Sequence, residues 1–460
     1  MTAAAVRALS TSFRGPVLAP DHPEFDAAAE VFQLAARGWP AVVVRPLDAE
    51  DVATAVACAR EHGLEIAIRS GGHSLAGHST GEGALVIDLR LLHDISVDPS
   101  ARRLRAGAGV TAGDVAAAAH EHGMTVPFGD ASTVGIAGIT LGGGIGYLAR
   151  KEGMTIDHLV SVELVTAGGR VVTASADAEP ELFWAVRGGG GNFGIATSFE
   201  YDLVDAGLVY GGGLILPATW NVLRGIAPLA AAAPEGLTVI ANYMPAPPAP
   251  FVPASILGQP IVMLLGVYAG DRAGGEAAWA PFRALAEPIA DLVGPMPYPA
   301  VYAFTEGATV PAPSVNRSIL LETVDDDVIE ALRDAYTSSP GKITLIQIRV
   351  LGGAMARVAS DATAFAHRRA PVLVIAIATA ESPDAMAPVL AWGDDVLARL
   401  RPKGIGAYAN FLEAEGEARI REAYPASTYR RLAAAKAAWD PDNVFRRNQN
   451  IRPRGDGPGR

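Results

Sequence analysis

The sequence predicts an α+β protein with two domains, and three observations lead to this prediction. Its 460 residues are too many for one ordinary hydrophobic core. Short apolar strands alternate with amphipathic helices along most of the chain. Glycine is concentrated in blocks before residue 205, and the residue pattern of the sequence changes near Ala206.

Composition narrows the class of protein. The formal net charge is −12 and no run of Lys and Arg exceeds two residues, which argues against binding to nucleic acid or to an anionic membrane. Residues 1–20 hold no apolar run long enough for a signal sequence, and no segment reaches the ~18 apolar residues of a membrane span. We therefore expect a soluble, cytoplasmic protein. The single cysteine, Cys58, excludes an internal disulfide and a cysteine metal cluster, and we expect no metal site.

The first elements surround the stretch Arg69-Ser-Gly-Gly-His-Ser74. Apolar spacing predicts a helix over 48–62 between strands at 41–44 and 64–68. Because the glycines follow a buried strand, their amides are exposed in a concave turn that suits a pyrophosphate. His73 then lies beside an anion-binding loop. The alternative is an ordinary turn with an incidental histidine.

The next elements are predicted by alternation and by turn residues. Thr111 caps a helix that runs to about His122, where Gly123 ends it. The other predicted elements are a strand at 84–88, a hairpin of 95–98 and 104–108, a hairpin of 162–166 and 171–174, a helix at 180–186 and a strand at 195–203.

Two further glycine blocks, 135–147 and 187–194, accompany the first. We expect each of the three loops to leave a strand and all three to wrap one long ligand, for which FAD has the right length. An alternative is that Gly144-Ile-Gly-Tyr-Leu-Ala149 is a nicotinamide-dinucleotide fingerprint with Glu163 as the ribose-binding acid. Against it, a hairpin follows this block and the block does not open the first βαβ unit.

Beyond Ala206 the pattern is that of a second α/β layer with its own core. A proline-rich loop at 244–250 cannot be regular structure. The tail carries a helix at about 427–438 and then a dense polar and aromatic segment. The helices of the layer are predicted at 276–286, 324–336 and 388–400, and its strands at 261–267, 343–350 and 372–379.

These motifs carry a family resemblance. Arg69-Ser-Gly-Gly-His73, the 135–147 block, Trp184-Ala-Val-Arg-Gly-Gly-Gly-Gly-Asn-Phe-Gly194, Tyr408-Ala-Asn-Phe411 and the segment 440–450 resemble the FAD-linked oxidases of the vanillyl-alcohol oxidase superfamily. Within it, the chain is similar to the berberine bridge enzyme-like branch and its bacterial members of the 6-hydroxy-D-nicotine oxidase type. The resemblance implies a PCMH-type FAD-binding domain made of residues 1–205 and the tail 406–460. It places an inserted substrate domain, an antiparallel sheet flanked by helices, at 206–405.

The resemblance also implies a covalent flavin. The family's histidine at the place of His73 is bonded to the 8α carbon of FAD, which requires a neutral imidazole. Many relatives add a link through a cysteine, but Asp130-Ala-Ser-Thr-Val-Gly135 has Ala131 there, so a single bond is predicted. Val134 matches a residue thought to gate oxygen and points to an oxidase.

Catalytic residues are predicted on two segments. Tyr408 matches the tyrosine of the family's Tyr-x-Asn motif, as a base or as a residue that orients one. The pKa of a phenol, ~10, must fall if the group is to act as a base at neutral pH, and Arg349 is the neighbour we expect to lower it. Gln347 and Arg349 share a face of one strand, which we interpret as the face over the flavin; a solvent-exposed face is the alternative.

Other site residues follow from the resemblance. The glutamate or glutamine base that some relatives carry aligns with Ala376 and is therefore expected to be absent, and Tyr147 and His158 are secondary candidates. Asn448 and Asn450 are assigned to the flavin ring or ribitol, with loop capping as the alternative. The predicted cofactor-binding residues are Arg69, Ser70, Gly71, Gly72, His73, Ser74, Gly77, His78, Gly129, Thr133, Val134, Gly138, Gly142, Gly143, Gly146, Tyr147, Asn192, Ile195, Tyr408, Asn448 and Asn450.

The predicted activity is that of an FAD-dependent oxidase. An alcohol or amine would lose a hydride to flavin N5, and O2 would become H2O2. One alternative is a dehydrogenase of the same fold with another acceptor, and a second is a flavin-binding protein without catalysis. Apolar side chains in 206–405 favour a hydrophobic or aromatic substrate over a sugar, and both a monomer and a homodimer stay open.

Overall fold

The computed structural model describes residues 2–308 and 310–453. A four-stranded sheet carries the first glycine block, in the order Val17–Leu18, Val42–Val44, Leu85–Asp88, Ile66–Arg69, with the last three strands parallel. Helix Ala49–His62 connects two of them; Asp48 caps it and Gly63, at φ 64°, ends it. The block therefore leaves the end of a strand, as predicted, and the structure shows that this strand is parallel to its neighbour.

A five-stranded antiparallel sheet follows, and it contains both predicted hairpins. Its order is Ile95–Asp98, Arg103–Gly107, Ile195–Asp202, Leu159–Val165, Val171–Ser175, and a small pair joins Met124–Thr125 to Val204–Asp205. The helices of this part are Thr2–Ser12, Phe25–Ala29, Ala112–His120, Ile136–Gly142, Ala149–Glu152 and Pro180–Val186, with 3-10 turns at Leu34–Ala36, Leu89–Leu91, Thr155–Asp157 and Gly190–Asn192.

A nine-stranded sheet draws all its strands from residues 208–406, and its pairs are antiparallel. In sheet order the strands are Ala290–Asp291, Leu208–Pro217, Pro260–Tyr268, Leu237–Pro245, Ile343–Val350, Val372–Thr379, Ser314–Leu321 and Gly404–Gly406, with Gly294–Pro297 beside Leu208–Pro217. The helices are Trp220–Ala232, Arg272–Arg283, Asp326–Ser338, Ala354–Arg357 and Met386–Leu400, with 3-10 turns at Ala254–Ile256, Tyr298–Phe304, Glu306–Ala308, Pro383–Ala385 and Arg401–Lys403.

The tail returns to the N-terminal half through a 3-10 turn, Ala409–Phe411, and helices Glu417–Ala423 and Ala426–Trp439. Trp184 and Leu432 lie in the same hydrophobic core. The domain bounds at 205/206 and 405/406 stay a prediction. Within the described residues, no helix is both long and apolar enough to cross a membrane.

The nine-stranded sheet is buried on both faces. Even-numbered residues of two central strands, such as Ile348 and Val374, pack on the helices. Odd-numbered residues of the strand 372–379, such as Leu373 and Ile375, pack with Tyr408 and Ile145 instead. This second face, turned toward the N-terminal half, carries the polar side chains of the candidate site.

Candidate active site

The first glycine block forms a nest of free amides. Gly72 adopts φ 75°, which favours glycine. Within the described residues, the backbone amides of 71–76 donate no hydrogen bond to protein. Ser74 Oγ accepts the amide of His78 at 3.1 Å and closes the turn. Successive unpaired amides make a concave anion site, which fits a pyrophosphate.

The other two glycine blocks correct the expectation that each loop leaves a strand. Residues 135–147 open helix Ile136–Gly142, and residues 187–194 follow helix Pro180–Val186 and precede a strand. Glycine is needed there for close packing: a Cβ at Gly146 would overlap the carbonyl of Phe128, and one at Gly142 would overlap the Asn410 amide. The glycine pattern alone could not distinguish these two uses.

The nicotinamide alternative is wrong. Glu163 lies inside the five-stranded antiparallel sheet, where its carboxylate accepts a hydrogen bond from Thr197 Oγ1 at 2.6 Å. In a dinucleotide-binding site the ribose-binding acid belongs to a parallel βαβ unit, and Glu163 does not lie in such a unit.

His73 is held by two neighbours. Its ring stacks on Phe32 at a centroid distance of 4.7 Å and an angle of 20°. Its Nε2 lies 3.0 Å from Thr133 Oγ1. Burial, with a smaller effect of the Arg69 cation, lowers the pKa of His73 to about 4, so the imidazole is neutral at physiological pH. Neutrality is what a nucleophilic histidine requires.

Arg69 and Ser70 are used by the protein itself. The Arg69 guanidinium donates to the Ala28 carbonyl and packs over Gly72, and Ser70 Oγ donates to the Ala108 carbonyl at 2.7 Å. Both side chains therefore hold the nest in place. A Cβ at Gly71 would overlap the backbone of Gly135, which fixes the nest against the second block.

Three buried polar atoms of predicted cofactor-binding residues have no partner within the described chain. These are His78 Nε2, Asn448 Oδ1 and Asn450 Oδ1. Burial lowers the pKa of His78 to about 4. Asn448 Nδ2 donates to the Phe445 carbonyl at 3.0 Å, as the loop-capping alternative expects. This bond uses only the amide nitrogen and leaves the Asn448 oxygen free. An unmade buried hydrogen bond costs about 1–3 kcal/mol, and a bound polar group would remove that cost.

Asn192 has no such free atom. Its Nδ2 donates to the carbonyls of Gly189 at 2.8 Å and Gln449 at 3.2 Å, and its Oδ1 accepts the amide of Ile451 at 3.0 Å. The side chain therefore ties the third glycine block to the tail. The other predicted positions differ in access: Gly138 has open space where a Cβ would stand, Val134 is half-buried, and Gly129, Gly143 and Ile195 are buried.

Tyr408 is buried, and two donors point at its hydroxyl. The Gly144 amide and Asn410 Nδ2 lie 2.8 and 2.9 Å from the phenolic oxygen. Burial nevertheless raises the pKa of Tyr408 to about 12, and Arg349 only partly offsets this. The expected lowering of this pKa is therefore wrong. The physical reason is that desolvation of a fully buried phenolate outweighs both donors and the nearby cation.

Gln347 and Arg349 do share a buried face, so the solvent-face alternative is wrong. Arg349 donates through Nε to Gln347 Oε1 at 2.5 Å, and Gln347 Nε2 donates to Asn242 Oδ1 at 2.8 Å. Arg349 also forms an ion pair with Asp130, with Nη2 and Nη1 at 2.8 and 3.3 Å from its carboxylate. A continuous polar chain thus joins the nine-stranded sheet to the Asp130 segment.

Four buried tyrosines surround this ion pair. The Tyr147 hydroxyl has no hydrogen-bond partner among the described residues, the hydroxyls of Tyr298 and Tyr302 interact with each other, and Tyr408 lies within electrostatic reach of the ion pair. Burial raises the pKa of Tyr147 well above its usual value. All four are protonated phenols at neutral pH and present hydrogen-bonding groups in an otherwise apolar setting.

Two secondary assignments change. Ala376 packs on the helix face of the sheet, and Ile375, which pairs with Gln347, lies on the site face. The aligned position therefore faces away from the site, and Ile375 on the site face is apolar as well. His158 Nε2 bonds the Glu152 carbonyl at 3.0 Å, so this histidine serves a loop.

The sequence-based prediction missed Asp130, Asn242 and Phe32. Asp130 begins the segment 130–135, in which only Ala131 and Val134 carried a family signal. Phe32 precedes every motif and carries no sequence signal. Asp130 and Thr133, three residues apart, connect Arg349 to His73.

These residues fit an FAD. The free amides of 71–76 suit its pyrophosphate, the neutral His73 suits the ring methyl edge, and the free oxygens of Asn448 and Asn450 suit ring or ribitol groups. Negative phosphates are also compatible with the nearby Arg69 cation.

Comparison with known proteins gives the same cofactor. Residues 40–175 match the FAD binding domain family, and residues 407–452 match the family described as berberine and berberine like. The chain is 33% identical to (R)-6-hydroxynicotine oxidase of Paenarthrobacter nicotinovorans over 96% of this chain and 98% of that protein.

Solved structures have the same fold. The crystal structure of 6-hydroxy-D-nicotine oxidase from Arthrobacter nicotinovorans matches with a TM-score of 0.83 and 28% identity, covering 96% of this chain and 99% of that one. Glucooligosaccharide oxidase of Acremonium strictum, whose title names a 6-S-cysteinyl, 8α-N1-histidyl FAD, matches with a TM-score of 0.85 at 23% identity over 99% of both chains. The 33% identity to (R)-6-hydroxynicotine oxidase extends over nearly the whole of both chains. The chain therefore belongs to the berberine bridge enzyme-like branch of the vanillyl-alcohol oxidase superfamily, and it is an FAD-linked oxidoreductase.

Proposed function

We propose that this protein is an oxidase that holds FAD through one covalent bond to His73, oxidises an amine or alcohol and produces H2O2. The observation that carries the proposal is the neutral His73 beside the nest of free amides at 71–76. The nest would grip the pyrophosphate, and His73 would reach the 8α carbon. Ala131 in place of a cysteine supports a single bond.

The atoms of the covalent step balance. One hydrogen leaves the imidazole and one leaves the 8α methyl group, and the imidazole lone pair forms the new nitrogen–carbon bond. The two electrons released pass to O2, which leaves as H2O2 with the two hydrogens. When bound, FAD would supply the acceptor for the substrate hydride and a route for the electrons to O2.

The substrate site is proposed around Tyr408 and the Asp130–Arg349 pair. The Tyr408 oxygen accepts two hydrogen bonds, and its own proton is free to bind a substrate heteroatom. The tyrosines 147, 298 and 302 would offer further hydroxyls and aromatic faces. Because Asp130 neutralises Arg349, the site as a whole carries little net charge, which favours an uncharged substrate.

An amine is favoured over an alcohol. An alcohol must lose its proton as it gives up hydride, and a base is needed for this. Tyr408 is protonated at neutral pH, and the Asp130 carboxylate is engaged by Arg349. A neutral amine donates hydride from the carbon beside nitrogen without first losing a proton. Tyr408 is then a hydrogen-bonding residue that orients the substrate.

The test is an anaerobic screen of matched amines and alcohols against the purified yellow protein. Loss of the flavin absorbance at about the same rate as turnover identifies a substrate, and admission of O2 should restore the colour and release H2O2. Slow recovery in O2 would favour the dehydrogenase. The non-catalytic alternative would be favoured if dithionite reduces the flavin but no compound of a broad panel does.

A further inference from the structure

The ring of His73 presents one free nitrogen. Nε2 lies 3.0 Å from Thr133 Oγ1, whereas Nδ1 has no hydrogen-bond partner among residues 2–308 and 310–453. Phe32 covers one face of the ring at 4.7 Å. With one nitrogen and one face occupied, the ring has little freedom to rotate, and Nδ1 is the nitrogen available for bonding.

The two neighbours are themselves anchored. The Phe32 amide donates to the Gly72 carbonyl at 3.1 Å, and its carbonyl accepts the amide of Ala312 at 3.2 Å. Thr133 stands between Asp130, fixed by Arg349, and Val134, whose carbonyl accepts the Ala112 amide at 2.9 Å. The arrangement around His73 is therefore built into the fold on both sides.

The Thr133 hydroxyl can accept a hydrogen bond from Nε2–H or donate one to Nε2, and attachment through Nδ1 requires the first arrangement. A neutral imidazole has one N–H donor and one lone pair. When Nε2–H donates to the Thr133 hydroxyl oxygen, the lone pair is on Nδ1. As Nδ1 forms a bond to carbon, positive charge develops on the ring, and the Nε2–H bond to Thr133 becomes charge-assisted and stronger.

We propose that Thr133 and Phe32 are positioning residues for flavin attachment, and that they speed formation of the bond to the 8α carbon by holding the His73 ring and its proton in place. The inference rests on the proposed covalent flavin and adds the groups that control how the bond forms. The Nε2 proton held by Thr133 is the imidazole hydrogen lost in the balanced step, and the 8α methyl group loses the other. The two electrons go to O2, as in the overall reaction above.

The test follows covalent attachment over time in full-length protein prepared without flavin and mixed with FAD in air. Attached flavin is read by fluorescence in a denaturing gel and by intact mass. Thr133→Val keeps the shape and removes the hydroxyl, so attachment should slow at least about tenfold, the size expected for loss of one hydrogen bond to a developing charge. Thr133→Ser should restore most of the wild-type rate.

The neighbouring Ser132 provides the control, since Ser132→Ala removes the same group one residue away. It should attach flavin at the wild-type rate. Phe32→Leu should slow attachment, and Phe32→Tyr, which keeps the ring, should not. Reversible FAD binding, measured on ice before attachment proceeds, separates slow bond formation from a misfolded site.

The linkage itself is the second readout. NMR of the flavinyl peptide should identify Nδ1 as the bonded atom in the wild type. Equal attachment rates for Thr133→Val and wild type, or a bond through Nε2, would overturn this inference and leave the proposed covalent oxidase intact. If wild-type protein attaches no FAD at all, both proposals fail together.

Discussion

Asp130 is the residue that joins the two parts of the candidate site. Its carboxylate binds the Arg349 guanidinium, which is 6% exposed, and its segment carries Thr133 to His73. The Arg349 guanidinium also lies over the Phe411 ring, with its central carbon 5.0 Å from the ring centroid. Gln347 and Arg349 could be predicted from their alternation on a strand. Asp130 could not, because the partner of a charge is set by tertiary folding.

Replacing Asp130 tests this role. Asp130→Asn leaves a buried guanidinium without its counter-charge, so we expect a loss of about 3 kcal/mol in the free energy of unfolding and a large loss of activity. Denaturant unfolding and steady-state kinetics measure the two effects. Glu276→Gln, which breaks the exposed Arg272–Glu276 pair, is the matched control and should change neither. If Asp130→Asn were as stable as the wild type, Asp130 would not have the structural role described here.

At the scale of elements, helix Ile136–Gly142 and the turn Ala409–Phe411 fit closely. Asn410 Nδ2 donates to the Ile139 carbonyl at 3.2 Å and to the Tyr408 hydroxyl at 2.9 Å. A side chain at Gly142 would overlap that amide. Placement of Tyr408 thus depends on a glycine that ends a helix in the other half of the molecule.

Gly142→Ala should therefore displace Asn410, lower stability by about 1–3 kcal/mol and reduce activity. The double mutant separates clash from other effects. In an Asn410→Ala background the added methyl has room, so Gly142→Ala should cost clearly less than in the wild type. Thermal unfolding of the four proteins gives the comparison. Simple additivity of the two changes would mean that the predicted overlap is not what destabilises Gly142→Ala.

Much of the element structure followed from the sequence, and the exceptions have physical reasons. The structure confirms the cap at Thr111 and the helix predicted at 48–62, which is observed at Ala49–His62. The strand Leu208–Pro217 was missed because Gly211, Gly212 and Gly213 lie at its centre, and glycine is depleted in strands. Here the glycines allow close approach: a Cβ at Gly212 would overlap the Leu292 carbonyl.

At the scale of the whole molecule, a charged cluster fixes the tail to the nine-stranded sheet. Glu413 accepts the Asn316 amide at 2.7 Å and pairs with Arg317 at 2.6 Å, and Arg419 binds the Ser318 carbonyl. Burial raises the pKa of Glu413 to about 7, against the opposing pull of Arg317. This cluster sits next to the turn that carries Tyr408, so it couples docking of the tail to the site.

The raised pKa predicts a pH dependence. Folding favours protonated Glu413, so this contribution to stability is fully present below the unfolded pKa near 4.5 and is lost as pH rises through about 7. Relative to Glu413→Gln, wild type should therefore lose thermal stability between pH 5 and 8. Glu417→Gln, in the exposed pair with Arg421, is the control and should show a constant difference. A constant difference for Glu413→Gln as well would refute the raised pKa.

The central claim is a covalent bond between His73 and FAD, and mass analysis of acid-precipitated protein tests it most directly. We predict a yellow precipitate, an intact mass one FAD above that of the chain, and a flavin on the peptide that contains His73; His73→Ala should give a colourless precipitate. A colourless precipitate and an unmodified chain mass, from wild-type protein purified yellow, would contradict the claim.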